Sequence, residues 1–182
     1  GREFASGSSL IVQVPHYPAI LAGHSGNPAP VRLRFHPEEH LQLKMPDLPF
    51  DYLYLCSPHN PMGEQLNRPT IEHLISRTLA NNATIIWDNV YNSFASALPF
   101  RTVYSIDGAP QCVVEVNSLS KSANFAGIRA GWVAMHPGQA RSEIRDRRIE
   151  LAFTQGAGVG KVSQTLAETA ISTPNYERAV QR

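Results

Sequence analysis

The chain has 182 residues, enough for one domain with a sizeable core. Hydrophobic residues make up 42% and charged residues 17%, and the formal net charge is +1, so no long-range field draws the protein to nucleic acid or to an anionic membrane. No apolar run approaches the roughly 20 residues that cross a bilayer, and two cysteines are too few for a disulfide framework, which points to buried thiols in a reducing, cytoplasmic compartment.

The first nine residues, Gly1 to Ser9, are small, polar and aperiodic, and read as a linker or cloning remnant. From Leu10 onward, short apolar runs alternate with amphipathic or loop segments. Strands are predicted at Leu10 to Val14, Val31 to Phe35, Tyr52 to Cys56, Thr84 to Trp87, Cys112 to Val116 and Ala130 to Met135, each with the length and the β-branched or aromatic content of a strand. Between the third and fourth, Arg68 to Asn81 carries Ile71, Leu74, Ile75 and Leu79 at helical spacing, with Pro69 suited to the first turn. Further helical patterns run from about Gly138 to Phe153 and from about Val162 to Ile171. In the first of these, Arg141, Arg145, Arg147 and Arg148 are interleaved with Glu143, Asp146 and Glu150, which makes a solvated face.

Strand, helix, strand in succession implies right-handed crossovers and an α/β, three-layer architecture around a mainly parallel sheet. In such sheets ligands sit beyond the carboxyl ends of the strands. Asn60, Asp88, Tyr91, Ser118 and Lys121 all fall just after a predicted strand end, so they are expected to converge on one edge.

Taken singly, each of these residues has an ordinary reading. Ser118-Leu119-Ser120-Lys121 is a common surface-loop string. Asp88 could cap a helix, bind a metal or face a protonated ring nitrogen. Asn60 fits a plain turn. Two other motifs lead nowhere. His36-Pro37-Glu38-Glu39-His40 formally matches a zinc-protease string, but it follows a strand and lacks the apolar helical face that would hold both histidines, so it reads as a polar loop. Gly156 to Gly160 follows a helix rather than a strand and reads as a flexible connection.

Together and in order, Asn60-Pro61-Met62-Gly63, Asp88-Asn89-Val90-Tyr91, Ser118-Leu119-Ser120-Lys121 and Arg129, eight residues past the lysine, resemble the fold-type-I pyridoxal-phosphate aminotransferases. The flanks His16-Tyr17-Pro18-Ala19, Tyr91-Asn92-Ser93-Phe94 and Phe125 to Trp132 are similar to the LL-diaminopimelate aminotransferase subgroup, although Met62 stands where threonine is usual and Asn89-Val90 replaces a common small pair.

The resemblance covers about residues 10 to 171 and implies the large, cofactor-binding domain of the aspartate-aminotransferase fold, incomplete at both ends, over residues 10–182. It implies amino-group transfer between an amino acid and a 2-oxo acid, with pyridoxal 5'-phosphate as cofactor, and a homodimer in the full-length protein. A carbon–sulfur β-lyase of the same fold and a catalytically inert fragment are the alternatives. It further implies that Lys121 is the Schiff-base lysine and that Asp88 pairs with the ring nitrogen. Asn60 and Tyr91 would bond the phenolic oxygen, Ser118 and Arg129 would bind the phosphate, and Ser120 is counted among the cofactor-binding residues. Tyr17 would stack on the ring, with ordinary packing as its other reading.

Overall fold

A computed structural model describes residues 8–22, 29–36, 42–43, 45–95, 102–137 and 158–173. Among them lie β1 (Leu10–Val14), α1 (Ala19–Ala22), β2 (Val31–His36), β3 (Gln42–Leu43), β4 (Tyr52–Cys56), α2 (Arg68–Ala80), β5 (Thr84–Asp88), α3 (Ala109–Cys112), β6 (Val113–Ser118), α4 (Leu119–Ser122), β7 (Gly131–Met135) and α5 (Lys161–Ser172). The strands form one seven-stranded sheet in the order β3-β2-β1-β4-β5-β6-β7. The four central pairings are parallel, while β3 and β7 close the two edges antiparallel. The mainly parallel α/β sheet expected from the sequence is therefore present, with all six anticipated strands and one more.

The alternation of side chains along each strand divides the core between two faces. Ile11, Leu53, Leu55, Ile85, Trp87 and Val113 pack on one face with Ile71, Leu74 and Ile75 of α2. Leu10, Val12, Tyr52, Tyr54 and Cys56 pack on the other, with Ile20 and Leu21 of α1 against them. Every residue of β4 is buried, as a central parallel strand requires. Full burial of each large aliphatic side chain contributes about 1.5–3 kcal/mol, so this doubly covered strand anchors the sheet.

Local chemistry sets the ends of the elements. Asn67 caps α2, its side chain accepting from the Thr70 N–H at 2.9 Å, and proline sits in the first turn as expected. Cys112, expected to open a strand, instead closes the short α3, because Gly108 at φ +82° and Pro110 start a helical turn just ahead of β6. Ser9, grouped with the expected linker, is tied in: its N–H and hydroxyl donate to the Asp51 carboxylate at 3.0 Å, and its carbonyl accepts from the Asp51 and Tyr52 N–H groups. The expected helix from 138 to 153, residues 37–40 of the histidine string and residues 156–157 of the glycine run lie outside the described residues. Among the described residues, no helix is long and apolar enough to cross a membrane.

Candidate functional site

The topology explains why the motif residues meet. The chain leaves β1 for β2 on one side of it, and β4 then returns to pair on the other side. The carboxyl ends of parallel β1, β4, β5 and β6 all open on one edge, and antiparallel β7 begins there. Tyr17 thus follows β1, Asn60 follows β4 and Tyr91 follows β5, while Lys121 lies in α4 after β6 and Arg129 just precedes β7. Asp88 and Ser118 are themselves the last residues of β5 and β6 rather than the first residues beyond them. Backbone bonds from the Ser57 N–H to the Asp88 carbonyl and from the Asn89 N–H to the Val116 carbonyl lace adjacent strand ends together.

Asp88 occupies a nest of apolar and aromatic groups. Its Oδ2 accepts a 2.6 Å bond from the Tyr54 hydroxyl, and its Oδ1 accepts a longer 3.3 Å bond from the Val90 N–H. Burial raises the Asp88 carboxyl above the ordinary carboxylate range, against the lowering effect of those two donors. The same burial, helped by the Asp88 charge, pushes the neighbouring Cys56 thiol up to about 12. Cys56 pairs in register with Asp88, and its Sγ–H donates to the Pro58 carbonyl, so it stays a protonated core thiol.

Beside this carboxylate, the Asn60 amide donates to the Tyr91 hydroxyl oxygen at 2.8 Å, which leaves the hydroxyl hydrogen of Tyr91 available to another acceptor. Burial is the main cause that raises the Tyr91 phenol, and the Asp88 charge adds to it; Tyr17 also lies within electrostatic reach of the Tyr91 ring. The Lys121 ammonium lies over the Tyr91 ring, 5.8 Å from its centroid. Tyr17 is 58% exposed on the rim of this group, and Lys121 is also exposed.

A second cluster forms where β6 ends. Ser118 caps α4, its hydroxyl accepting from the Ser120 N–H at 3.1 Å and lying 3.0 Å from the Ser120 hydroxyl. The Leu119 N–H donates to the Ala130 carbonyl, which brings the residue after Arg129 against the start of α4. This approach depends on Gly131: a Cβ there would come within 2.7 Å of the Asn117 carbonyl oxygen. Arg129 adopts the left-handed conformation at φ +54°, is exposed, and uses one guanidinium N–H on the Ala126 carbonyl at 3.0 Å. Four of its five donors remain for an anion.

All eight motif residues therefore fall on one sheet edge. Three supporting residues escaped the sequence reading. Tyr54 is diagonal to Asp88 on the same face, two residues before its register partner Cys56; a buried tyrosine in an apolar run needs a hydroxyl partner, and that was the available signal. Glu115 is buried, and its carboxylate accepts from the side chains of Asn89 and Asn117, the Thr102 hydroxyl and the Val103 N–H, at 2.7–3.2 Å. Such charge-assisted bonds contribute about 1.5–3 kcal/mol each, so Glu115 locks the backbone next to Asp88 to β6. His59 accepts from the Met62 N–H and bonds the Pro15 carbonyl, linking the Asn60 turn to the segment that carries Tyr17; burial lowers its pKa.

Comparison of the sequence and the fold with known proteins gives concordant matches. A family model described as Aminotransferase class I and II matches residues 4–182. The chain is 30% identical over 138 residues to the LL-diaminopimelate aminotransferase of Bacteroides thetaiotaomicron, an alignment covering 71% of this chain and 34% of that protein. It is also 30% identical over 153 residues to the enzyme of the same name from Bacteroides fragilis, covering 79% of this chain and 37% of that one. The chain thus spans about a third of the length of the curated relatives it matches. Its fold matches the solved L,L-diaminopimelate aminotransferase of Chlamydomonas reinhardtii with a TM-score of 0.81 at 22% identity, covering 98% of this chain and 48% of that one. The aspartate aminotransferase of Thermotoga maritima gives a TM-score of 0.80 at 22% identity, with the same two shares. With nearly its whole length matched, the chain belongs to the aminotransferase class I and II family.

Proposed function

We propose that residues 10–182 are the cofactor-holding part of a pyridoxal-phosphate enzyme that moves an amino group between an amino acid and a 2-oxo acid. The observation that carries this reading is the donor and acceptor set on one edge of the sheet. It comprises an anion for a cationic ring nitrogen (Asp88), a hydroxyl and an amide for a phenolic oxygen (Tyr91, Asn60), hydroxyls and a guanidinium for a phosphate (Ser118, Ser120, Arg129) and an exposed primary amine (Lys121). That set fits pyridoxal 5'-phosphate group for group. When bound, this cofactor supplies an electron sink for negative charge that develops on the substrate carbon.

The chain's own groups do the rest. Asp88 holds positive charge at the ring nitrogen. Arg129 contributes a permanent charge to phosphate binding, and the Ser118 and Ser120 hydroxyls add neutral donors. Lys121 Nζ carries the attachment and then moves the proton at the substrate α-carbon. Tyr17, exposed on the rim, would stack on the ring. The named relatives suggest a substrate like LL-diaminopimelate, an amino acid with a second polar group. The family resemblance in turn implies a homodimer as the working form of the full-length protein.

The test is a half-reaction in a full-length enzyme carrying this segment. Loaded with pyridoxal phosphate and given amino acids one at a time, it should convert the cofactor's absorbance to that of the amine form and release the matching 2-oxo acid. The 182-residue chain alone should bind the cofactor weakly and turn nothing over. Release of ammonia and pyruvate from cysteine conjugates, without the amine form, would reassign the site to β-elimination.

A further inference from the structure

The shortest side-chain contact at the site involves a residue outside the recognised motifs. Tyr54 is only 6% exposed, in the fully buried β4, and its hydroxyl donates to Asp88 Oδ2 at 2.6 Å. That oxygen is taken. Oδ1 accepts only the 3.3 Å bond from the Val90 N–H among the described residues, so it is the carboxylate oxygen with capacity for a cationic partner.

We propose that Tyr54 is a positioning residue for Asp88: its hydroxyl fixes one carboxylate oxygen, holds the carboxylate in its charged form within an apolar nest, and leaves the other oxygen to the cofactor's ring nitrogen. This rests on the cofactor reading above. Three physical points support it. A buried carboxylate is stabilised as an anion chiefly by the donors that reach it, and here they are one hydroxyl and one backbone N–H. The other titratable groups around it, Cys56 on β4 and Tyr91 after β5, are held neutral and supply no positive charge. The contact is also tertiary, since Tyr54 is bound to β5 by the register that pairs Cys56 with Asp88, so the carboxylate rotamer is fixed by the sheet rather than by its own loop.

The test has two readouts. In the cofactor-free protein, isotope-edited infrared spectroscopy of labelled aspartates follows the Asp88 carboxyl, identified as the band missing in Asp88→Asn. Tyr54→Phe removes one oxygen atom from a packed ring and should raise the proton affinity of Asp88 by about tenfold, or one pH unit. With pyridoxal phosphate labelled at its ring nitrogen, magnetic resonance should show that nitrogen protonated in the parent protein and losing its proton at lower pH in Tyr54→Phe. Unchanged titration of Asp88 in a folded Tyr54→Phe protein, or an unchanged ring nitrogen beside a shifted Asp88, overturns the proposal. If Tyr54→Phe does not fold, meta-fluorotyrosine at position 54 keeps the ring and strengthens the donor. It should then lower the Asp88 titration, and no movement would count against the assignment. A full-length parent enzyme that takes up no cofactor refutes the functional reading alone, because the infrared titration still decides whether Tyr54 holds Asp88.

Discussion

In a full-length enzyme carrying this segment, Asp88→Asn is expected to lower transamination by orders of magnitude while leaving the fold as stable as before, or slightly more so. The two effects separate because they have different physical sources. Asparagine has the shape of aspartate, and its Oδ1 still accepts from the Tyr54 hydroxyl, so the packing around β4 and β5 survives. What disappears is a buried negative charge. Burial raises the Asp88 carboxyl above its unfolded value, so the folded state binds the proton more tightly than the unfolded chain. Stability from this group is present at acid pH. It is lost as pH rises from the unfolded carboxylate range through the raised folded value. Cofactor-free wild-type protein should show that decline in a denaturant series across pH, and Asp88→Asn should not. A neutral amide, however, cannot hold positive charge at the ring nitrogen, and without it the ring is a poor electron sink. Normal turnover in Asp88→Asn would make Asp88 a local cap for Val90 and nothing more.

Lys121→Ala is expected to reduce activity at least as far, again with little structural cost. Lys121 is exposed and its visible interaction is the 5.8 Å approach to the Tyr91 ring. Such exposed cation–π contacts contribute about 0.5–1 kcal/mol, so circular dichroism and the melting temperature should barely move. The loss is chemical: no other amine would take over both attachment of the cofactor and proton transfer at the substrate carbon. Added small amines should restore part of the rate by supplying the missing base. Full activity in Lys121→Ala would remove the lysine from the mechanism.

The parts of this site that were legible in the sequence are those encoded locally. Strand ends are marked by the switch from apolar runs to Ser-Pro, Asp-Asn and Asn-Ser, and this placed Asn60, Asp88, Ser118 and Lys121 on one edge before any contact was known. The spacing from Lys121 to Arg129 was legible for the same reason. What local pattern could not reveal is what register creates. Tyr54 looked like one more apolar residue of β4, yet the pairing of Cys56 with Asp88 delivers its hydroxyl to the carboxylate. Nothing in the run Cys112 to Val116 marks Glu115 as buried; the segment around Thr102 and Val103 and the side chain of Asn89 supply its partners from elsewhere in the chain. The two-residue β3 has no periodicity to read, and only its pairing with Phe35 and His36 defines it.

The most direct measurement is covalent trapping. A full-length enzyme carrying this segment, incubated with pyridoxal phosphate, reduced with borohydride and digested, should carry the pyridoxyl group on the peptide containing Lys121, and the label should fall sharply when Asp88→Asn or Arg129→Ala is treated in the same way. Lys121 over the Tyr91 ring, the Asp88 charge felt by Tyr91, and the serine and arginine donors on the same sheet edge make that lysine the expected point of attachment. A label spread evenly over surface lysines, or concentrated on Lys44 or Lys161, would contradict the account.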